Sequence, residues 1–153
     1  MTREILFRGF HEDENGSTTI YVDGRTVKGE WFYGFYNKFR RNKDEKLEHF
    51  IHILDENQCV GLAVDVIPAT IGEYTGYEDK NDNKIFEGSR VMNKDNNLGV
   101  VLLGVVPKEL ASRNFWHFAF YVKFVNAYLR PELPFWADKI EVVGTVFDKK
   151  VKK

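Results

Sequence analysis

The sequence has little that could crosslink it or place it in a membrane. Its 153 residues include a single cysteine, Cys59, which cannot form a disulfide bond within the chain. One thiol is typical of a reducing compartment, and because no base neighbours it in the sequence we interpret Cys59 as buried and inert. The longest apolar stretch, residues 100–106, is far shorter than the roughly 18 residues that a membrane helix needs. We therefore expect a cytoplasmic chain without a signal peptide.

An excess of charge of one sign is also missing. The 22 basic and 23 acidic residues leave a net charge of −1, which gives no general reason to expect nucleic acid or anionic lipid as a partner. This overall balance does not exclude a local charged patch. The sequence contains no Gly-x-Ser-x-Gly element, no P-loop and no Gly-x-Gly-x-x-Gly element. We predict that the protein is not an enzyme and uses no cofactor.

The pair His49 and His52 is the one that suggests a metal site. On a helix, a spacing of three residues would place both rings on one face. The apolar pattern of Leu47–Leu54 instead indicates a strand, on which the two positions point to opposite faces. His11 and His117 add no zinc-type spacing. We therefore predict no metal site.

Aromatic residues are abundant, whereas alanine is scarce. The chain has 13 Phe, 7 Tyr and 3 Trp, and such residues favour a pleated, half-buried surface. Turn-forming Asn, Asp and Gly recur between short apolar runs, which is typical of antiparallel sheets. We predict a mainly β fold, an antiparallel β-barrel or meander with little helix. The predicted strands are Glu4–Phe10, Thr18–Val22, Thr26–Phe39, Leu47–Leu54, Val60–Ile67, Ile71–Thr75, Lys84–Met92, Gly99–Val106, Phe115–Phe124 and Lys139–Phe147.

The third predicted strand carries aromatic residues at alternating positions. Side chains alternate between the two faces of a strand. Trp31, Tyr33 and Phe35 should therefore share one face, with Phe32 and Tyr36 on the other.

Prolines guide the predicted organisation of the chain. Pro68 can end a strand, and there we divide the chain into an N-terminal β lobe, residues 1–68, and a C-terminal β lobe, residues 69–153, within one compact unit. The stretch Asn126–Trp136 contains two prolines, so we predict an irregular crossover and not a long helix.

The segment from Glu73 to Val91 reads E-Y-T-G-Y-E-D-K-N-D-N-K-I-F-E-G-S-R-V. It resembles the signature of the YopX-like phage proteins, roughly Q-Y-T-G-L-x-D-x-N-G-K-x-I-Y-E-G-D-I-V. Residues 3–10, 29–34 and 140–147 are similar to other family segments, in the same order. The signature positions present in this chain are Tyr74, Thr75, Gly76, Asp79, Asn81, Ile85, Phe86, Glu87, Gly88 and Val91.

Three positions depart from the family pattern. Asp82 stands in place of a turn glycine, Ser89 in place of an aspartate, and Thr145 in place of an asparagine. The change at Asp82 is mild because Asp tolerates left-handed turn geometry. A function of the family that needed a carboxylate at position 89 would be lost here.

The resemblance implies a small β-rich protein of phage or prophage origin, located in the cytoplasm of a bacterial host, with no assigned activity. Residues 87–91 and 97–101 are similar to the G-D-x-V…G-x-V pattern of SH3-like barrels, which implies an SH3-like C-terminal half. Some such barrels bind RNA and others bind peptides, so this likeness selects no function. From the residues alone, the polar run Glu78–Asn83 is a solvated turn within a hairpin.

Two sets of residues are candidate contacts. The stretch Lys38–Lys46 holds five cations against two acids, with Tyr36 and Phe39 at its start. Basic residues near aromatic rings can hold single-stranded nucleic acid, although a charged hairpin tip is the commoner explanation of such a stretch. The candidate nucleic-acid contacts are Lys38, Arg40, Arg41 and Lys43. Trp116 and Trp136 are candidate interface anchors or core residues.

These observations lead to two functional predictions. The first is a non-catalytic protein-interaction or self-assembling module, a homo-oligomer or the partner of another protein. The alternative is a nucleic-acid-binding module of SH3-like type that uses the basic stretch.

Overall fold

A computed structural model describes residues 5–12, 20–22, 25–27, 29–40, 42–54, 60–106, 118–125 and 127–148. This part of the chain is mainly β, as predicted. Its strands are β1 Phe7–His11, β2 Ile20–Val22, β3 Arg25–Val27, β4 Glu30–Phe39, β5 Glu48–Leu54, β6 Val60–Asp65, β7 Gly72–Glu78, β8 Lys84–Phe86, β9 Ser89–Asn93, β10 Leu98–Val105, β11 Phe118–Phe124 and β12 Ile140–Thr145. The helical segments are α1, Leu133–Trp136, and 3-10 turns at Pro68–Thr70 and Ala137–Lys139. Cys59 and the segment 107–117 lie outside the described residues.

The chain divides into two compact units, with the boundary between Glu73 and Tyr74 inside β7. In the N-terminal unit the strand order is β6-β5-β4-β1, and the first residues of β7 pair with β1 on its other side. All of these pairs are antiparallel. The strands β2 and β3 form a separate two-stranded hairpin.

The N-terminal core lies on one face of this sheet. Phe32 is buried on β4 against Ile51 and Val64, while Tyr36 packs at the edge of the same cluster. Tyr33 and Phe35 point away from the core and are exposed. The predicted alternation along this strand is therefore confirmed, and it places an aromatic face towards solvent.

The C-terminal unit contains the β7–β8 hairpin and an antiparallel four-stranded sheet in the order β11-β10-β9-β12. Its core contains the fully buried side chains Ile85, Val91, Val101, Val122, Leu133 and Ile140. No described strand joins β11 to β12, so this sheet is open and does not form a closed barrel. The part of the chain that the structure describes contains no helix long and apolar enough to cross a membrane.

Two predicted strands are each divided in the structure. Lys84–Met92 is broken into β8 and β9 because Glu87 and Gly88 form a turn, in which Gly88 has a φ of 89°. Thr26–Phe39 is divided into β3, which ends at Val27, and β4, which begins at Glu30 after Gly29 with a φ of 72°. The predicted crossover Asn126–Trp136 ends in the single turn α1, whose second residue, Pro134, is tolerated because the first helical amides need no acceptor.

Candidate functional site

The family signature begins with a bulge in β7. Residues 75–77 lie where β8 has only Ile85, so the register of the pair shifts across them. Thr75 is buried, and its Oγ1 donates to the Ile85 carbonyl at 2.8 Å and accepts from the Tyr77 amide at 3.2 Å. Gly76 has a φ of 90°, which side-chain-bearing residues rarely adopt. The Tyr-Thr-Gly part of the signature therefore shapes the strand.

The Asp79 carboxylate stabilises the turn that follows this bulge through hydrogen bonds. Its Oδ1 accepts from the amides of Asn81 and Asn83 at 2.8 and 2.9 Å. Its Oδ2 accepts from the Val142 amide at 2.8 Å and from Nδ2 of Asn83 at 3.2 Å. A carboxylate has about four acceptor positions, so these four donors saturate it. Asp79 thus links the β7–β8 turn to β12.

The prediction that the whole run Glu78–Asn83 is a solvated turn is wrong at Asp79, which is only 4% exposed. Burial alone would raise the pKa of its carboxyl, but the amides of Val142, Asn83 and Asn81 hold that pKa below its ordinary value. The carboxylate is therefore charged, buried and committed to the fold.

The end of the signature is also engaged within the fold. Ser89 is fully buried, and its Oγ accepts from the Phe86 amide at 3.1 Å. Gly88 donates to the Val101 carbonyl at 2.8 Å and accepts from the Val146 amide at 3.0 Å. An oxygen at position 89 is what this turn uses, and a serine supplies it in place of the family's aspartate.

A second group of residues is exposed instead. Tyr33, Phe35 and Phe39 lie on the outer face of β4 and are 43 to 48% exposed. Phe50 on β5 shares this face, and its ring stacks on Phe39 with centroids 4.8 Å apart and planes 14° apart. We call these four residues the aromatic strip. The alternation in the sequence identifies Tyr33 and Phe35 as one face, but it does not tell which face is open to solvent.

The basic stretch connects β4 to β5 directly beyond the aromatic strip. Lys38, Arg40 and Lys43 are exposed, and Nη1 of Arg40 donates to the Lys43 carbonyl at 3.3 Å. Arg41 lies outside the described residues. Lys38 is on the opposite face of β4 from Phe39. Arg40 and Lys43 are therefore the described candidate contacts that lie beyond the Phe39 end of the strip.

The histidine pair does not form a shared site. His49 and His52 lie on β5 and face opposite sides of the sheet. His49 Nδ1 lies 2.6 Å from the hydroxyl of Tyr36, whereas His52 is the cross-strand neighbour of Phe35. Among the described residues, no three His, Cys, Asp or Glu side chains are grouped so that they could hold a metal ion.

Trp136 packs mainly within the C-terminal unit. Its ring lies edge-on to Phe124, with centroids 5.1 Å apart, and its Nε1 donates to the Arg130 carbonyl at 2.7 Å. It is one of the partly buried residues around the C-terminal core. The other candidate anchor, Trp116, lies outside the described residues.

Comparison with known proteins places the chain in a family. No curated protein matches it. The family model described as YopX protein matches residues 6–150, nearly the whole chain. The signature residues of the β7–β8 hairpin lie within that match, in the geometry given above. The chain therefore belongs to the YopX protein family.

Proposed function

We propose that this YopX-family chain is a non-catalytic binding protein and that the aromatic strip is its contact surface. The observation that carries the proposal is the exposure of Tyr33, Phe35 and Phe39 along one face of β4. Contiguous exposed apolar patches mark interaction sites. Aromatic residues are enriched among the side chains that contribute most to binding. A second copy of the chain, another protein and a nucleic acid are the partners that this surface can serve.

The signature hairpin supports a non-catalytic role, because two of its polar side chains are engaged in hydrogen bonds within the fold. A general base must have a free acceptor position, and the Asp79 carboxylate accepts from Asn81, Asn83 and Val142 instead. The Ser89 hydroxyl is buried and accepts from a backbone amide within its own turn. These two groups are engaged within the fold, and among the exposed apolar side chains we assign the partner surface to the strip because its rings share one sheet face.

The proposal extends to the type of the C-terminal unit. The strand order β11-β10-β9-β12, with a 3-10 turn directly before β12, supports the SH3-like comparison made from the sequence. Fold likeness does not fix a function, so the binding role rests on the strip and not on this comparison.

Retention from a cell extract tests the proposal. Immobilised wild-type chain is compared with a Phe35→Ser/Phe39→Ser variant and with a Tyr128→Ser control, since Tyr128 is 93% exposed outside the strip. The extract is used with and without nuclease treatment. We expect a component that the wild type and the control retain and the strip variant loses. Equal retention by all three chains would overturn the proposal.

A further inference from the structure

We propose that the aromatic strip and the basic hairpin tip together bind single-stranded nucleic acid. This inference rests on the proposed function and names the class of partner. The hairpin tip is defined here as Arg40, Lys43 and Lys46, three exposed cations in the β4–β5 connection.

The strip places exposed aromatic rings at a spacing that suits successive bases. Tyr33 and Phe35 are two residues apart on the same face of a strand, which separates them by roughly 7 Å. Phe39 lies farther along β4 and is stacked on Phe50, so two adjacent rings lie at this end of the strip. Bases stack on such platforms with little sequence preference because every base has a π face.

Charge identifies a phosphate-bearing partner. Lys38–Lys46 contains five cations and two acids, a local balance of +3 in a chain whose net charge is −1. One of the two acids, Glu45, already accepts from Nδ2 of Asn42 at 2.8 Å. The tip follows Phe39 directly, so a strand stacked on the rings would bring its phosphates towards these cations.

Two acidic residues beside the aromatic strip indicate the direction in which a bound nucleic acid would run. Glu48, an exposed residue of β5, is the cross-strand neighbour of Phe39. Asp65 on β6 is the cross-strand neighbour of Phe50; its side chain is 60% exposed, and its Oδ1 lies 3.4 Å from Nδ1 of His11. These carboxylates would repel phosphates over β5 and β6, so the nucleic acid should run along β4. A duplex hides the faces of its bases, so it cannot use the rings in this way.

Fluorescence anisotropy with labelled oligonucleotides tests the inference. The probes are 20-nucleotide oligothymidylate, oligouridylate and a duplex of equal length. Binding to either single strand is expected at ~50 mM salt, with the duplex weaker. Three phosphate contacts on a single strand give a salt slope of about −2, so Kd should rise about 20-fold between ~50 and ~200 mM salt. The two single strands report whether DNA or RNA is preferred.

Variants with matched controls locate the site. Phe35→Ala should weaken binding about tenfold, the loss of one stacked base, whereas Phe118→Ala should not, although Phe118 is 69% exposed. Phe35→Leu keeps apolar bulk without a flat ring and should also weaken binding. Lys43→Ala should weaken binding and reduce the salt slope by about 0.7. Lys94→Ala, an exposed lysine in another turn, should do neither.

Three results would overturn the inference. They are no anisotropy change at ~50 mM salt, equal loss in Phe35→Ala and Phe118→Ala, and full binding by Phe35→Leu. The two proposals can also fail separately. If the wild-type chain, but not the Phe35→Ser/Phe39→Ser variant, still retains a component of the nuclease-treated extract and no oligonucleotide binds, the proposed function stands and the nucleic-acid assignment is wrong. If the strip variant retains everything that the wild type retains, the proposed function itself falls.

Discussion

Asp79 shows how one residue can link distant parts of the chain. It accepts hydrogen bonds within its own turn, from Asn81 and Asn83, and from Val142, which is 63 residues away. Asn93 fills the equivalent position of another turn and accepts the two local bonds with its amide oxygen, at 3.0 Å each. An asparagine can therefore build such a turn, and the carboxylate is needed for the bond to β12.

Replacing Asp79 with asparagine should separate these two roles. In Asp79→Asn the turn keeps its local acceptor, but an NH₂ group then faces the Val142 amide, leaving a donor unsatisfied. We expect the free energy of unfolding at pH 7 to fall by about 2 kcal/mol, measured by urea denaturation. The exposed substitution Asp95→Asn should change it by less than about 0.5 kcal/mol.

The acid dependence of that difference is a second readout. The pKa of Asp79 is lowered in the folded chain, so its stabilising effect is fully present above about pH 4, the ordinary pKa of an aspartate. It is lost as the pH falls through the lower, folded pKa. The gap between wild type and Asp79→Asn should therefore shrink in acid, and a gap that stays constant to pH 2 would contradict this account.

At the scale of elements, the turns 79–83 and 93–97 have the same construction. In each, the amide of the first residue donates to the carbonyl of the last, and the side-chain oxygen of the first accepts from the amide of the last. The fourth residue has a left-handed backbone: Asp82 has a φ of 65° and Asn96 a φ of 63°. The sequences D-K-N-D-N and N-K-D-N-N share this plan. The structure thus bears out the expectation that Asp82 accepts the geometry of the family's turn glycine.

Substitutions at Asp82 should follow this geometry. Asp82→Gly removes strain but adds freedom to the unfolded chain, so we expect a stability within about 0.5 kcal/mol of wild type. Asp82→Val should lower the free energy of unfolding by about 1 to 2 kcal/mol, because a β-branched residue fits a left-handed position poorly. Thermal and urea denaturation would measure both, and a Val variant as stable as the Gly variant would refute the assignment.

The elements also show what the sequence can and cannot predict. Alternation located the two faces of β4, because side-chain direction is a local property of a strand. The predicted strand Lys84–Met92 runs across the turn at Glu87 and Gly88, because the hydrogen bond from the Phe86 amide to the buried Ser89 hydroxyl within that turn cannot be read from the sequence. The burial of Asp79 depends on Val142, a contact across 63 residues that no local pattern reveals.

For the whole molecule, the net charge of −1 means that any nucleic-acid binding must be local. Glu48 and Asp95 allow a direct test, because replacing either with its amide changes the net charge equally. Glu48 shares the face of Phe39, whereas Asp95 lies in the turn 93–97. We expect Glu48→Gln to tighten oligouridylate binding a few-fold at ~50 mM salt and Asp95→Asn to leave it unchanged, as measured by anisotropy. Equal tightening by both would point to a general charge effect.

The central claim is that the signature hairpin stabilises the fold while the aromatic strip makes the contact. Hydrogen exchange followed by mass spectrometry, on the wild-type chain with and without saturating oligouridylate, tests both parts at once. We predict slower exchange in peptides that cover residues 33–39 and 48–52, and unchanged exchange in residues 74–91. Slower exchange in residues 74–91, with the strip unchanged, would contradict the account.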